Sequence, residues 1–313
     1  MNPWFLAAYA GYASFADKNK ENDARYLQGL QDLPSVAGLE LPFYSDLSET
    51  NSDKVLRTLP KHWDYILTLL PGTMQSLGKT PGFGLASTSA EGRKAAMSRM
   101  ALVHRRIHEI NDRCGRAAVR AVELHSAPTR PFADVQSLYS SLEELDDWDW
   151  QGTQLLLEHC DSWREDGSSV KGFMTLKEEL GVLREFNVRL ALNWGRSVLE
   201  ERDPSAALNH VEMGREQLGA FFFSGTTLND PVYGSWADSH APLKLGSKEP
   251  WEPQAGLLTE ARVRETYHAL KGIPGLMMGI KVQPTPPDLT IERRLDFLAQ
   301  QINAFDRACQ AEG

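Results

Sequence analysis

Eight short apolar runs constrain this chain more than any other feature. Each ends in polar or glycine-bearing residues and leads into a helix or a helix-bearing connection. The runs are Trp4–Tyr12, Val36–Tyr44, Trp63–Leu70, Ala118–Leu124, Thr153–Asp161, Val188–Trp194, Gly219–Phe223 and Leu276–Val282. They are apolar along their whole length, as strands covered on both faces must be, and such strands belong to parallel sheets. Between them lie segments with helical spacing: Asn22–Leu33, a brief Asp53–Leu59, Ala90–Cys114, Phe132–Leu145, Phe173–Phe186, Pro204–Leu218, Thr259–Leu270 and Leu289–Cys309. Strands alternating with helices predict an α/β fold. Eight such units predict a closed (β/α)₈ TIM barrel as one domain over residues 1–313. The chain is longer than many such barrels, and two long connections absorb the surplus: Gly72–Ala90 after the third strand and Thr226–Leu258 after the seventh. A doubly wound open sheet is the rival, but no G-x-G-x-x-G turn follows the first run. The stretch Gly72–Thr80 is one residue too long for a phosphate-binding P-loop, and Pro81 blocks the helix such a loop requires.

In a barrel of this kind the connections after the strands build the active site. The polar residues that close the apolar runs are therefore the candidates: Glu40, His125, Glu158, His159, Asp161, Asn193, Arg196, Ser224, Lys281 and Gln283. Carboxylates and imidazoles carry protons or hold metals. Arginine and lysine stabilise anionic oxygens. Asparagine, glutamine and serine bind hydroxyls. A polyol or sugar is the small molecule such a set suits.

Glu158 is the expected working residue, and the best single metal ligand, because an unpaired buried carboxylate is costly. By strand alternation His159 points the opposite way, toward the helices. Asp161 is balanced between chemistry and capping a turn. His125 shares the parity of Glu123, so those two could form one inward pair. Lys281 either pairs with an inner carboxylate such as Glu158 or contacts substrate. Asp238 and His240, two residues apart in the second long connection, suit a loop reaching over a barrel mouth. Trp194 and Trp236 are candidates for stacking on a sugar ring.

Bulk properties exclude several classes. A net charge of −9 with scattered lysines and arginines offers no basic face for nucleic acid. No apolar run is long enough to span a bilayer. The apolar N-terminus has no basic residue before Lys18, so it reads as a strand rather than a secretion signal. Three cysteines without a C-x-x-C pair suggest neither a disulfide framework nor a thiolate zinc site. A cytoplasmic location is the expectation, and a homo-oligomer is allowed.

The runs GLELPF, VELHSAP, LLLEHCD, LNWGRS and FFFSG, spread over nearly the whole chain, resemble a bacterial family of uncharacterised proteins, DUF4862. That family sits within the xylose isomerase-like TIM-barrel superfamily. The resemblance implies a fold shared with sugar isomerases and epimerases. It also implies a divalent metal held by Glu, Asp, His and Glu at the ends of strands five to eight. Here Glu158 matches the first position, and Asn193, Ser224 and Lys281 stand at the other three. The usual ligand set is thus not intact, and a displaced site among Glu158, His125, Asp238 and His240 stays open. The expected function is a sugar isomerase or epimerase-like enzyme abstracting a proton next to a carbonyl. Its catalytic groups would be Glu158, His125, Lys281 and His240. Glu40, Asn193, Arg196, Ser224, Trp236, Asp238 and Gln283 would bind substrate. The alternative is a sugar-binding or sensing barrel without catalysis. A metal-dependent hydrolase barrel would want a His-x-His on the first strand, and Tyr9–Tyr12 offers none.

Overall fold

The computed structural model of the chain describes residues 4–11, 20–43, 57–285 and 288–310. Its eight strands close into a barrel in sequence order: β1 (Trp4–Leu6), β2 (Val36–Pro42), β3 (Asp64–Thr68), β4 (Val119–Leu124), β5 (Gln154–Glu158), β6 (Val188–Asn193), β7 (Leu218–Phe223) and β8 (Met277–Ile280). The helices between and after them are α1 (Ala8–Gly11), α2 (Lys20–Gln31), α3 (Leu70–Leu77), α4 (Ala90–Cys114), α5 (Val135–Asp146), α6 (Leu176–Leu183), α7 (Trp194–Glu201), α8 (Ala206–Gly214), α9 (Glu260–Leu270) and α10 (Ile291–Gln310). The pairings β3–β4, β4–β5, β5–β6 and β1–β8 are parallel. The expected (β/α)₈ barrel is the architecture found. The chain divides into two compact units, one of residues 39–191 with 216–220, the other of residues 1–38, 192–215 and 221–313.

In the first unit, β3, β4 and β5 pair side by side in parallel. Val122 pairs with Leu155, Glu123 with Leu156 and Leu124 with Leu157, and every residue of β4 but Arg120 is buried. Helix α4 begins where the Ser89 side chain accepts the Gly92 N–H and ends at Gly115, whose φ of 67° favours glycine. Its stripe of Met97, Met100, Val103, Ile107 and Ile110 is buried, as the helical spacing predicts. Helix α6 starts with a reciprocal capping box between Thr175 and Glu178.

In the second unit, Trp4, Phe223 and Phe305 pack ring against ring, with centroids 5.5–6.1 Å apart. The Trp4 indole N–H donates to Asp306 at 2.9 Å. Gly279 on β8 lies against the Phe222 ring; a Cβ there would come within 2.1 Å of it.

Several boundaries differ from the sequence reading: the run Trp4–Tyr12 is strand only to Leu6 and turns helical at Ala8, and the helices expected over Phe132–Leu145, Phe173–Phe186 and Pro204–Leu218 run over Val135–Asp146, Leu176–Leu183 and Ala206–Gly214. The run Trp63–Leu70 is not one strand. It stops at Thr68, and Leu70 opens α3 with Pro71 in its first turn, where a missing N–H does no harm. The connection expected to begin at Gly72 therefore contains a helix, and only residues 78–89 remain as loop. Trp194 likewise opens α7 rather than closing β6. The connection after β7 is as long as expected. From residue 224 to 259 it holds no helix or strand, only isolated bridges such as Gly225 with Ala241 and Thr227 with Gly256. Part of the brief Asp53–Leu59 helix falls outside the described residues, and Arg57 and Thr58 are helical.

Candidate active site

In the first unit the register of β4 on β5 sets His125 beside Glu158, since each follows or ends its strand one step beyond the Leu124–Leu157 pair. His125 Nε2 lies 2.7 Å from Glu158 Oε2, and both side chains are almost wholly out of solvent. The partner the structure gives His125 is thus across the strands, rather than the Glu123 two residues earlier. Cys160, two residues past Glu158 and fully buried, brings its sulfur within 4.8 Å of both the imidazole and the carboxylate. Leu70, Ala127 and Phe173 surround that thiol. A cavity of about 20 Å³, lined among others by His125, Leu124, Ala127 and Arg99, lies alongside and has room for one water. Glu40, in the middle of β2, and Glu123, on β4, are buried in the same unit.

Alternation sends the next residue the other way. His159 Nδ1 meets Glu179 Oε2 of α6 at 2.7 Å, fully buried. The Ser126 hydroxyl donates to the other oxygen of Glu179 at 2.5 Å. His159 is the helix-facing histidine expected from its parity. Glu179, which the sequence reading missed, is its anchor. The available signal was position: Glu179 sits on the apolar stripe of α6 beside Leu176, Leu180 and Leu183, where an acid has no solvent. Asp161 caps a turn. Its carboxylate accepts the N–H groups of Val170 at 2.5 Å and Lys171 at 3.0 Å, tying down the loop between β5 and α6.

In the second unit the remaining candidates converge. Asn193 ends β6 and caps α7: its Oδ1 accepts the Arg196 N–H at 3.3 Å. Its Nδ2 is buried without a hydrogen-bond partner among the described residues. Arg196, one turn on, is buried and donates through Nε to Asp238 Oδ2 at 3.4 Å. Asp238 Oδ1 lies 3.5 Å from His240 Nδ1, and Ser224 Oγ lies 2.9 Å from that same nitrogen. Serine and aspartate share one imidazole nitrogen, so this is not the relay of a hydrolytic triad, which uses both nitrogens. A carboxylate facing Nδ1 keeps the proton there and leaves Nε2 as the basic nitrogen. Gln283, past β8, donates its amide to Ser239 O at 2.8 Å and its backbone N–H to His240 O at 2.9 Å. His240 and Trp236 both hold positive φ, 50° and 48°, a conformation non-glycine residues adopt only when their surroundings impose it. The Tyr233 hydroxyl donates to Trp251 O at 2.9 Å and lies 3.3 Å from Gln283 O, and burial pushes its pKa up to about 12. Burial raises Asp230 as well, but backbone N–H groups of Ala255, Val232, Tyr233 and Gln254 outweigh it and hold the carboxyl below its ordinary value.

Lys281 is buried, with its ammonium 5.6 Å from the Tyr9 ring centroid and 5.9 Å from that of Phe222, a cation over aromatic faces. Trp236 is half-buried in the loop. Trp194 is completely buried, so it packs the interior and offers no platform to a sugar ring.

The divalent-metal set that the superfamily resemblance implies does not fit these residues. Asn193 spends its oxygen on a helix N–H and Ser224 its hydroxyl on His240. Lys281 brings a positive charge where a ligand is needed.

A family model described as "Domain of unknown function (DUF4862)" matches residues 5–297. "Uncharacterized protein STM3670" of Salmonella typhimurium is 34% identical over 313 residues, covering 97% of each chain. Among solved structures, a putative xylose isomerase from Rhodospirillum rubrum aligns with a TM-score of 0.62 at 12% identity, over 98% of this chain and 99% of that one. The IOLI protein, solved with a bound zinc atom, aligns with a TM-score of 0.60 at 12% identity, over 99% and 100%. At such identities these structures share the barrel with this chain. No helix of the described residues is long and apolar enough to cross a membrane.

Proposed function

The chain belongs to the DUF4862 family, and we propose that it is a sugar isomerase or epimerase-like enzyme of the cytoplasm, acting on a carbohydrate or sugar acid by moving a proton next to a carbonyl. The observation that carries this reading is the buried His125–Glu158 pair at the ends of β4 and β5. A desolvated carboxylate hydrogen-bonded to an imidazole is a proton carrier with a built-in partner. Glu158 is the base, and His125 orients it and shares its proton. Lys281 and Arg196 stabilise the oxyanion that forms when the proton leaves, and His240, its Nδ1 held by Asp238, is the second acid/base. Asn193, Ser224, Gln283, Asp238, Glu40 and Trp236 bind hydroxyls or the sugar face. The superfamily's usual divalent-metal set takes no part, for the reasons of fit given above.

The test is a panel of aldoses, ketoses and uronic acids incubated with the protein in D₂O and followed by NMR. Deuterium should enter at the carbon next to the carbonyl of the true substrate, and Glu158→Gln should slow that exchange by about 10²-fold or more. Full exchange by Glu158→Gln would end the assignment. The departure at Asn193, Ser224 and Lys281 also favours a second reading, a barrel that binds sugars without converting them. Thermal stabilisation by a panel member with no exchange and no product would select it.

A further inference from the structure

We propose that His125, Glu158 and Cys160 form a binding site for a thiophilic divalent cation, zinc foremost. The site shares Glu158 with the superfamily's ligand set and takes its other two donors, His125 and Cys160, from outside it. It rests on no substrate or turnover, but it draws on the same His125 and Glu158 as the proposed base pair, so a seated cation takes that pair out of acid–base work.

Three donors of different kinds converge. One ring nitrogen of His125, a Glu158 carboxylate oxygen and Cys160 Sγ all lie within 4.8 Å of one another, in fully buried surroundings. In tetrahedral zinc sites metal–ligand bonds of about 2.0–2.3 Å put neighbouring donors roughly 3.2–3.7 Å apart. The pair His125–Glu158 at 2.7 Å must open by less than about 1 Å, and Cys160, within 4.8 Å, must close by at most roughly 1.5 Å for a cation to seat between them. Glu158 ends β5 and Cys160 follows two residues on, while the β4–β5 register fixes His125 beside Glu158. Backbone geometry has therefore already paid for most of the convergence.

The donor set selects its metal. A thiolate with an imidazole suits zinc, cobalt or iron, and disfavours magnesium and calcium, which want oxygen alone. Three protein ligands also leave the fourth position of a tetrahedron open, the arrangement of catalytic rather than structural zinc. A water-sized cavity adjoins His125, one of the three donors. Proton balance is simple. Cys160 loses its thiol proton to solvent as the metal–sulfur bond forms, and the Nε2 proton that His125 shares with Glu158 moves to Nδ1, so binding weakens as pH falls.

The test strips the full-length protein with a chelator and titrates it with Co²⁺. One equivalent should bind with a sulfur-to-cobalt charge-transfer band, and Zn²⁺ should displace it. Cys160→Ala should abolish the band. His125→Gln should weaken binding by more than about tenfold, since loss of even an outer-shell partner commonly costs that much. The double variant Cys114→Ser, Cys309→Ser should change neither. Circular dichroism checks that each variant is folded. If Cys160→Ala does not fold, His125→Gln decides through affinity alone. Absence of binding, a band that survives Cys160→Ala, or a band lost with Cys114 and Cys309 would overturn the site. A site that fails while Glu158→Gln still abolishes deuterium exchange leaves the proposed function standing, so the two are separable.

Discussion

Two buried histidines, one just past β4 and the other just past the neighbouring β5, end in different circumstances. His125 meets Glu158 at the mouth of β5, while His159 meets Glu179 on the helix side, both at 2.7 Å. The distances are equal and both pairs are excluded from water, yet their remaining neighbours differ. Glu179 has its second oxygen occupied by Ser126, an arrangement with scaffold partners on both sides. Glu158 adjoins a thiol and, through His125, a water-sized cavity. The lesson is that an imidazole–carboxylate pair is not a functional signature by itself. What surrounds it decides whether it fastens a helix or handles a ligand.

The comparison breaks most sharply at the two glutamates. Glu158→Gln should lower turnover on an identified substrate by about 10²–10⁴-fold with little change in melting temperature. Glu179→Ala should do the reverse. It leaves His159 and Ser126 buried without their acceptor and should cost about 3–5 kcal/mol of stability in denaturant titrations, with turnover per folded molecule retained. Equal loss of activity from both would erase the distinction between them. A smaller effect is expected in the second unit, at the Arg196–Asp238–His240 chain. Asp238→Asn removes the charge that holds the proton on Nδ1 of His240, and should lower kcat/KM about tenfold, or about 1.4 kcal/mol, with a shift in the pH profile. Asn193→Ala should cost about 1 kcal/mol through loss of the α7 cap, read from thermal melts.

The smallest effect concerns the long connection after β7. Asp230 has a folded pKa below its unfolded value, where a free aspartate titrates near about 3.9. Its contribution to stability is therefore complete above that unfolded value and is lost as pH falls through the lower folded one. Thermal melts from pH 6 downward should show wild type losing stability in this acid range, and Asp230→Asn losing less of it.

The barrel was legible because its evidence is repeated. Each apolar run alone is ambiguous, but eight of them alternating with helices admit few arrangements. The site was legible where a polar residue closed a strand, as at His125, Glu158, Arg196 and Ser224. It was legible in the loop too, where Asp238 and His240 stood two residues apart. It was not legible where pairing depends on register or on a helix docking. Parity offered Glu123 as the partner of His125, and only the setting of β4 against β5 brings Glu158 there instead; Glu179 belongs to an element twenty residues away from the histidine it holds. The start of α3 was hidden for another reason. The run of leucines at Leu67, Leu69 and Leu70 satisfies a strand and a helix alike, and only the placement of Pro71 separates them.

The alternation at β5 also has a bearing on how such a barrel can change. Glu158 and His159 are neighbours with opposite outlooks, so the site is stored as a phase of the strand as much as in the residues themselves. Inserting one residue among the leucines of Gln154–Leu157 would leave an apolar strand fit for the barrel. It would also turn His159 inward and send Glu158 to the helices, exchanging the two roles without altering a single side chain. A deletion there would do the same. Lineages carrying this barrel are thus free to vary the composition of β5 while its length is held fixed, and length is what a comparison of relatives should find most strictly kept.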